Sequence, residues 1–184
     1  MTAVEPRPIA GWKGESRLPD SLAAWLERNP LASLVLNAVR AVDERWLQPV
    51  ASKGAGMAFQ PRALLAMVTY CYVLEIYGSQ DIEDLMRRDG LFRFLCANEF
   101  PDWHAVRRFR RNNRETIQRC LAEALRHIWK SGSFERYTGC PCTDHGKEAR
   151  VPEWRKALDP AHLMDEANER IERAMFIDHM AIDE

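Results

Sequence analysis

Along the chain, apolar positions first fall into register at Leu31, Leu34, Val35, Ala38, Val39, Val42 and Trp46. Steps of three and four residues predict one helix over about 31–47. Asn29-Pro30 separates it from a shorter helix, Ser21–Arg28, capped by Asp20, because a residue before proline is pushed out of the helical region. Pro49 and Ser52-Lys53-Gly54-Ala55-Gly56 end the long helix in a linker. After Pro61, the run Ala63 to Val68 is apolar on nearly every side, as a helix surrounded by others must be. Gly78 is the expected stop, and Ser79 the expected cap of the next helix, Gln80–Arg87. Asp89-Gly90 closes that helix, and a short one, Leu91–Ala97, follows it. Asp102 then caps a stretch in which Val106, Phe109, Asn113, Ile117, Cys120, Ala124 and Ile128 share one line. The spacing predicts a single long amphipathic helix with one polar break, at Asn113. Past Lys130 the pattern dissolves, until Asp159-Pro160 opens a last helix to about Met180, striped by Leu163, Ala167, Ile171 and Ala174.

No strand pattern interrupts this series. The expected fold is all-α: a helical bundle containing a helix-turn-helix-like unit, with a flexible N-terminal arm and a separate C-terminal helix. The expected divisions are an arm over 1–17, a helical domain over 18–130, an irregular linker over 131–158 and an acidic amphipathic helix over 159–184. Composition supports a packed core, since 46% of the 184 residues are hydrophobic. Cys71, Cys96, Cys120, Cys140 and Cys142 are odd in number, and three lie in apolar helical patterns. That usage points to a reducing, cytoplasmic setting. The N-terminus lacks the apolar segment of a secretory signal, and Ala63–Tyr77 is too short to span a bilayer, so no membrane partner is expected.

Net charge is −1, which by itself argues against a polyanion ligand. Its distribution changes that reading. Arg107 to Lys130 carries a local charge of +6, and Asp159 to Glu184 carries −6. No acid lies between Asp102 and Glu115, whereas a solvated helix gains stability by mixing signs at four-residue spacing. Clustered guanidinium groups suit phosphate oxygens and guanine edges, each of which takes two hydrogen bonds. Two short helices leading through Pro101-Asp102 into the basic helix would direct His104, Arg107, Arg108 and Arg111 at DNA.

The run Phe59-Gln60-Pro61-Arg62-Ala63-Leu64-Leu65, then Tyr70 and Tyr72, Ser79-Gln80-Asp81-Ile82-Glu83, and Asp89-Gly90-Leu91-Phe92-Arg93-Phe94-Leu95 sharpens this expectation. So does Pro101-Asp102-Trp103-His104-Ala105-Val106-Arg107-Arg108-Phe109-Arg110-Arg111. Together these resemble the N-terminal domain of bacterial insertion-sequence transposases of the InsH type, over about residues 20–130. Ala105 and Val106 replace the Thr-Ile of the family pattern, removing a hydroxyl that could meet a phosphate. The resemblance implies binding to the element's terminal DNA, ahead of a separate domain bearing an Asp/Asp/Glu metal triad. The stretch after Lys130 has no strand ending in such an aspartate, and Thr143-Asp144-His145-Gly146 lacks the apolar strand that should precede it. DNA binding without strand transfer is therefore expected, as in a split or decayed transposase or a domain kept for another purpose.

Within that reading, Arg110, Arg114 and Arg119 are assigned to phosphates and Arg107, Arg108 and Arg111 to base edges. Double-stranded DNA is the expected partner, with a homo-oligomer and a separate chain carrying a catalytic domain as further partners. No cofactor is expected. Cys140, Cys142 and His145 offer three zinc ligands and lack an obvious fourth. Trp103, Phe109, Phe92 and Phe94 read as core rather than as a base-stacking platform. No nucleophile-and-base pair or Gly-rich phosphate loop occurs, so no catalytic residue is assigned. The acidic last helix could dock on the arginines and compete with DNA, or use its stripe for dimerisation. The alternative function is a protein-interaction module in which helices 21–47 and 160–180 mediate assembly and the arginines pair with acids.

Overall fold

The computed structural model describes Leu26 and residues 29–51, 58–131 and 160–181. The expected arm, the zinc candidates Cys140, Cys142 and His145, most of the linker and most of helix 21–28 lie outside the described residues. Within them the fold is an all-α bundle: α1 (Pro30–Arg40), α2 (Pro61–Val73), α3 (Ser79–Arg88), α4 (Gly90–Leu95), α5 (Trp103–Asn112), α6 (Arg114–Lys130) and α7 (Pro160–Met180). A 3₁₀ turn, Glu44–Trp46, follows α1, and one isolated bridge joins Ala51 to Ala58. Among the described residues no helix is long and apolar enough to cross a membrane.

Three boundaries differ most from the sequence expectation, each because hydrogen bonding at one residue prevails over the apolar period, while the short helix expected at Leu91–Ala97 is shifted to Gly90–Leu95. Helix α1 ends at Arg40 rather than Leu47. Asp43 accepts the Arg45 backbone N–H at 3.0 Å and nucleates the 3₁₀ turn, which leaves Trp46 outside the core at 69% exposure. Helix α2 stops at Val73, well before Gly78. Glu75 takes the left-handed conformation (φ 63°), its N–H bonds the Tyr72 carbonyl, and the Ile76 N–H bonds the Cys71 carbonyl at 2.9 Å. This is the double closure glycine normally makes, here built on a glutamate. Gly78 instead serves as the N-cap of α3, and Ser79 is its first residue.

The third difference bears on function. The expected single helix from Asp102 to Lys130 is two, α5 and α6, meeting at Asn113 with φ −121° and ψ 22°. The Asn113 amide accepts from the Gln48 N–H at 2.6 Å and donates to the Gln48 carbonyl at 3.0 Å and the Phe109 carbonyl at 2.9 Å. A side chain that bonds backbone on both sides competes with the helical ladder, so the polar break becomes a real one.

Helix α2 is the centre, with Ala63 to Tyr72 buried throughout. Helices α1, α4, α5 and α6 pack around it, and α3 packs against α4 and α5. The core aromatics are Tyr70, Tyr72, Phe92 and Phe109, with Tyr70 meeting Phe92 edge-on at 5.6 Å, while Phe94 and Trp103, also expected in the core, are only half-buried. Helix α7 is not separate. Leu163, Ala167, Ile171 and Ala174 are all buried in the common core, and α7 lies along α6. The stripe is therefore covered within the chain and unavailable for dimerisation. Gln118 donates to the Met164 carbonyl, Arg114 reaches Asn168 and Glu172, and Arg110 reaches Asp178, so α7 runs antiparallel to α6 and continues past the break onto α5.

Candidate nucleic-acid interface

Helix α5 is set by its cap. Asp102 accepts the Ala105 N–H at 2.7 Å, and Glu83 of α3 accepts the Trp103 N–H at 2.8 Å, which ties the start of α5 to α3. Ala105, Val106 and Phe109 are fully buried. At about 100° per residue, these positions turn His104, Arg107, Arg108 and Arg111 onto the opposite arc, one continuous face.

The four side chains on that face differ in freedom. The His104 ring stacks on Trp103 at 3.5 Å, and the Arg107 guanidinium lies 5.2 Å from the Trp103 ring centre, in cation–π range. Arg107 also faces Asp178 at 3.4 Å. Burial, then the charges of Arg110 and Arg111, hold the Arg107 pKa below its ordinary value. Arg108 donates to the Ala51 carbonyl at 3.4 Å, while its Nε is buried with no hydrogen-bond partner. Arg111 is exposed, and no carboxylate among the described residues pairs with it or with Arg108.

The three arginines assigned to phosphates are placed elsewhere. Arg110 is 2% exposed and points inward, donating to the Tyr72 hydroxyl at 2.9 Å, the Tyr77 carbonyl at 3.3 Å, Ser79 Oγ at 3.4 Å and the Asp178 carboxylate. In this conformation it touches no external phosphate, because α7 covers it. Arg114 binds Asn168 and Glu172, both at 3.0 Å, and Arg119 pairs with Glu115 one turn away on α6. Arg119 also lines an open groove of about 580 Å³ between α1 and α6, with Trp46, Thr116 and Glu123.

Two decisive residues escaped the sequence reading, both on α7. Asp178, 5% exposed, accepts the Ser79 N–H at 2.9 Å and the Ser79 hydroxyl, and it faces Arg107 and Arg110. It thus supplies the first turn of α3 with an acceptor and an anion. Arg170, also 2% exposed, donates to the Tyr72 and Val73 carbonyls at 2.6 and 3.1 Å, at the C-terminal end of α2, and pairs with Glu166 at 2.6 Å. A cation at one helix C-terminus and an anion at the next N-terminus, about 12 Å apart along α7, bracket the α2–α3 turn. The available signal was that Asp178 continues the apolar line 163, 167, 171, 174 by one further step.

Burial pushes the Cys71 thiol far up, and raises Cys96 and Cys120 to about 11, so all three are protonated and poor nucleophiles at neutral pH. Among the described residues no cluster of three His, Cys, Asp or Glu side chains could hold a metal. The chain matches no family model, no curated protein and no solved structure.

Proposed function

We propose that the chain is a double-stranded DNA-binding protein that presents the outer face of α5 to the major groove, with α3 and α4 as the supporting part of a helix-turn-helix. The observation that carries this reading is the basic face itself, on which two of the three arginines have no acidic partner among the described residues. Among the described residues Arg108 and Arg111 have no carboxylate partner, whereas Arg107 and Arg110 face Asp178, and Arg107 and His104 stand beside them on Trp103. Like charges left together on one face cost stability unless an anion relieves them. Helices of this size enter the major groove, where arginine binds guanine with paired hydrogen bonds. The motif resemblance over 20–130 adds end binding on an insertion sequence, without strand transfer by this chain. A separate chain carrying the catalytic domain and a homo-oligomeric state belong to the same proposal.

Equilibrium binding of a labelled duplex across salt concentrations tests the reading. Two to four phosphate contacts predict a log–log slope of about −2 to −4. Millimolar affinity without a salt slope contradicts it.

A second reading, a protein-assembly module, is favoured by one observation. Met175, Phe176, Ile177 and Met180 are exposed together on the last two turns of α7. Concentration-dependent self-association without DNA affinity would select it.

A further inference from the structure

Beyond Ala174 only one side chain of α7 is buried, and it is charged. Met175, Phe176, Ile177, His179 and Met180 are exposed, while Asp178 is enclosed by Ser79, Arg107 and Arg110. An apolar stripe holds the helix up to Ala174. Beyond its own backbone bonds, the last turn and a half is held among the described residues by the Asp178 carboxylate, together with a weak contact of Arg114 with the Met175 sulfur at 3.7 Å. The groups around that carboxylate form a seat for an anion. The Ser79 N–H opens α3 and has no partner within its helix, the Ser79 hydroxyl lies beside it, and two guanidinium groups converge from α5. The Tyr72 hydroxyl, whose own pKa burial raises to about 12, accepts from Arg110 and fixes its direction. Helix N-termini joined to arginines bind phosphate in the same manner as carboxylate.

We propose that Asp178 is an internal stand-in for a DNA backbone phosphate. The last turn of α7 closes the seat in the free protein, and a phosphate of bound duplex takes it when that turn unwinds after Ala174. The proposal rests on the DNA reading above and gives that site its regulation. Closing the seat engages Arg107, one of the four outward residues, and covers Arg110. Opening it releases both cations toward the ligand at the cost of little buried apolar surface. Because coupling between two binding events is reciprocal, whatever Asp178 withholds from DNA, DNA withholds from Asp178.

The full chain and its Asp178→Asn variant, which keeps the shape and loses the charge, are compared by hydrogen exchange and by binding of a 20-base-pair duplex at low salt. Far-ultraviolet circular dichroism checks that the variant folds. The expected results are exchange at residues 176–181 accelerated about tenfold in the variant, with 163–174 still protected, and duplex affinity raised about tenfold, within the usual range for coupled sites. In the unmodified chain, which removes any dependence on the variant's folding, saturating duplex should accelerate exchange at 176–181 by a similar factor. Unchanged or slower exchange there on duplex binding overturns the lock, as does equal duplex affinity in a folded variant. If neither protein binds duplex at low salt, the DNA reading and the lock both fall. Binding with no response of 176–181 removes the lock alone.

Discussion

Neighbouring arginines of α5 have opposite physical roles, and single substitutions should separate them. Arg110 is a buried cation meeting Asp178, the Tyr72 hydroxyl and a carbonyl, so Arg110→Ala takes from the buried Asp178 carboxylate its nearest cation and leaves it only Arg107 at 3.4 Å and the Ser79 donors. Losing one partner of such a pair costs about 3–5 kcal/mol. Thermal denaturation should show a fall in Tm on the order of 10 °C for a chain of this length. Arg111 is exposed and has no carboxylate partner among the described residues, so Arg111→Ala should move stability by no more than about 0.5 kcal/mol while weakening duplex binding. The sequence could tell that Val106 and Phe109 face inward, and from them that Arg107, Arg108 and Arg111 face outward. It could not tell that Arg110 turns in, because its partners lie on α2, α3 and α7, as many as 68 residues away. Protonation adds a further prediction. Cys120 has its ordinary thiol value of 9.0 raised to about 11, chiefly by burial, and Cys96 likewise. A group whose folded pKa is raised contributes stability fully below the unfolded value and loses it as pH climbs through the folded one. Stability should therefore be insensitive to these thiols below pH 9 and fall between about 9 and 11. Peptide-mapped alkylation at pH 8 should find Cys71, Cys96 and Cys120 protected until the chain unfolds.

At the scale of elements, existence was legible and boundaries were less so. Periodicity and proline placed α3, α7 and the starts of α2 and α5 within a few residues, because their apolar faces are regular and their entries are marked by proline or a capping side chain. The ends of α1 and α2 and the division of α5 from α6 depended on single polar interactions that a period does not register. Asp43 caps a 3₁₀ turn, Glu75 adopts a left-handed conformation, and Asn113 holds the Gln48 backbone 65 residues away. The Asn113 break matters because it aims α5 independently of α6. Asn113→Ala removes three bonds of a buried side chain, two of them part-buried bonds to the Gln48 backbone, so the expected loss is about 1–3 kcal/mol. Urea denaturation measures it. If the break positions the basic face, the same variant should weaken duplex binding although no residue of that face has changed. Arg170→Met tests the other grip of α7. It leaves Glu166 and the α2 terminal carbonyls without their cation, and the chain should lose several kcal/mol, since breaking a buried pair is costly in this way.

Across the whole molecule, the near-neutral charge resolves into two opposed segments that meet in space. The +6 stretch forms most of α5 and α6, and the acidic last helix lies along both, joined by Arg114–Glu172, Arg110–Asp178 and Arg107–Asp178. The sequence showed the asymmetry and admitted docking within one chain or between two. The fold places the contact within one chain and buries the α7 stripe in the core. A truncation at Lys130 would therefore expose core surface as well as remove acids, so point substitutions are the cleaner probes. Among the described residues the acids leave Arg108 and Arg111 of the outer α5 face without a carboxylate partner, and the functional account depends on that remaining charge. The most direct measurement is duplex affinity against salt concentration for the full chain and for an Arg107→Ala/Arg111→Ala double variant shown to be folded. The account predicts a salt slope of about −2 to −4 for the full chain, shallower by about 1 to 2 in the variant, with affinity at least tenfold weaker. Equal affinity and equal slope in the two proteins would contradict it.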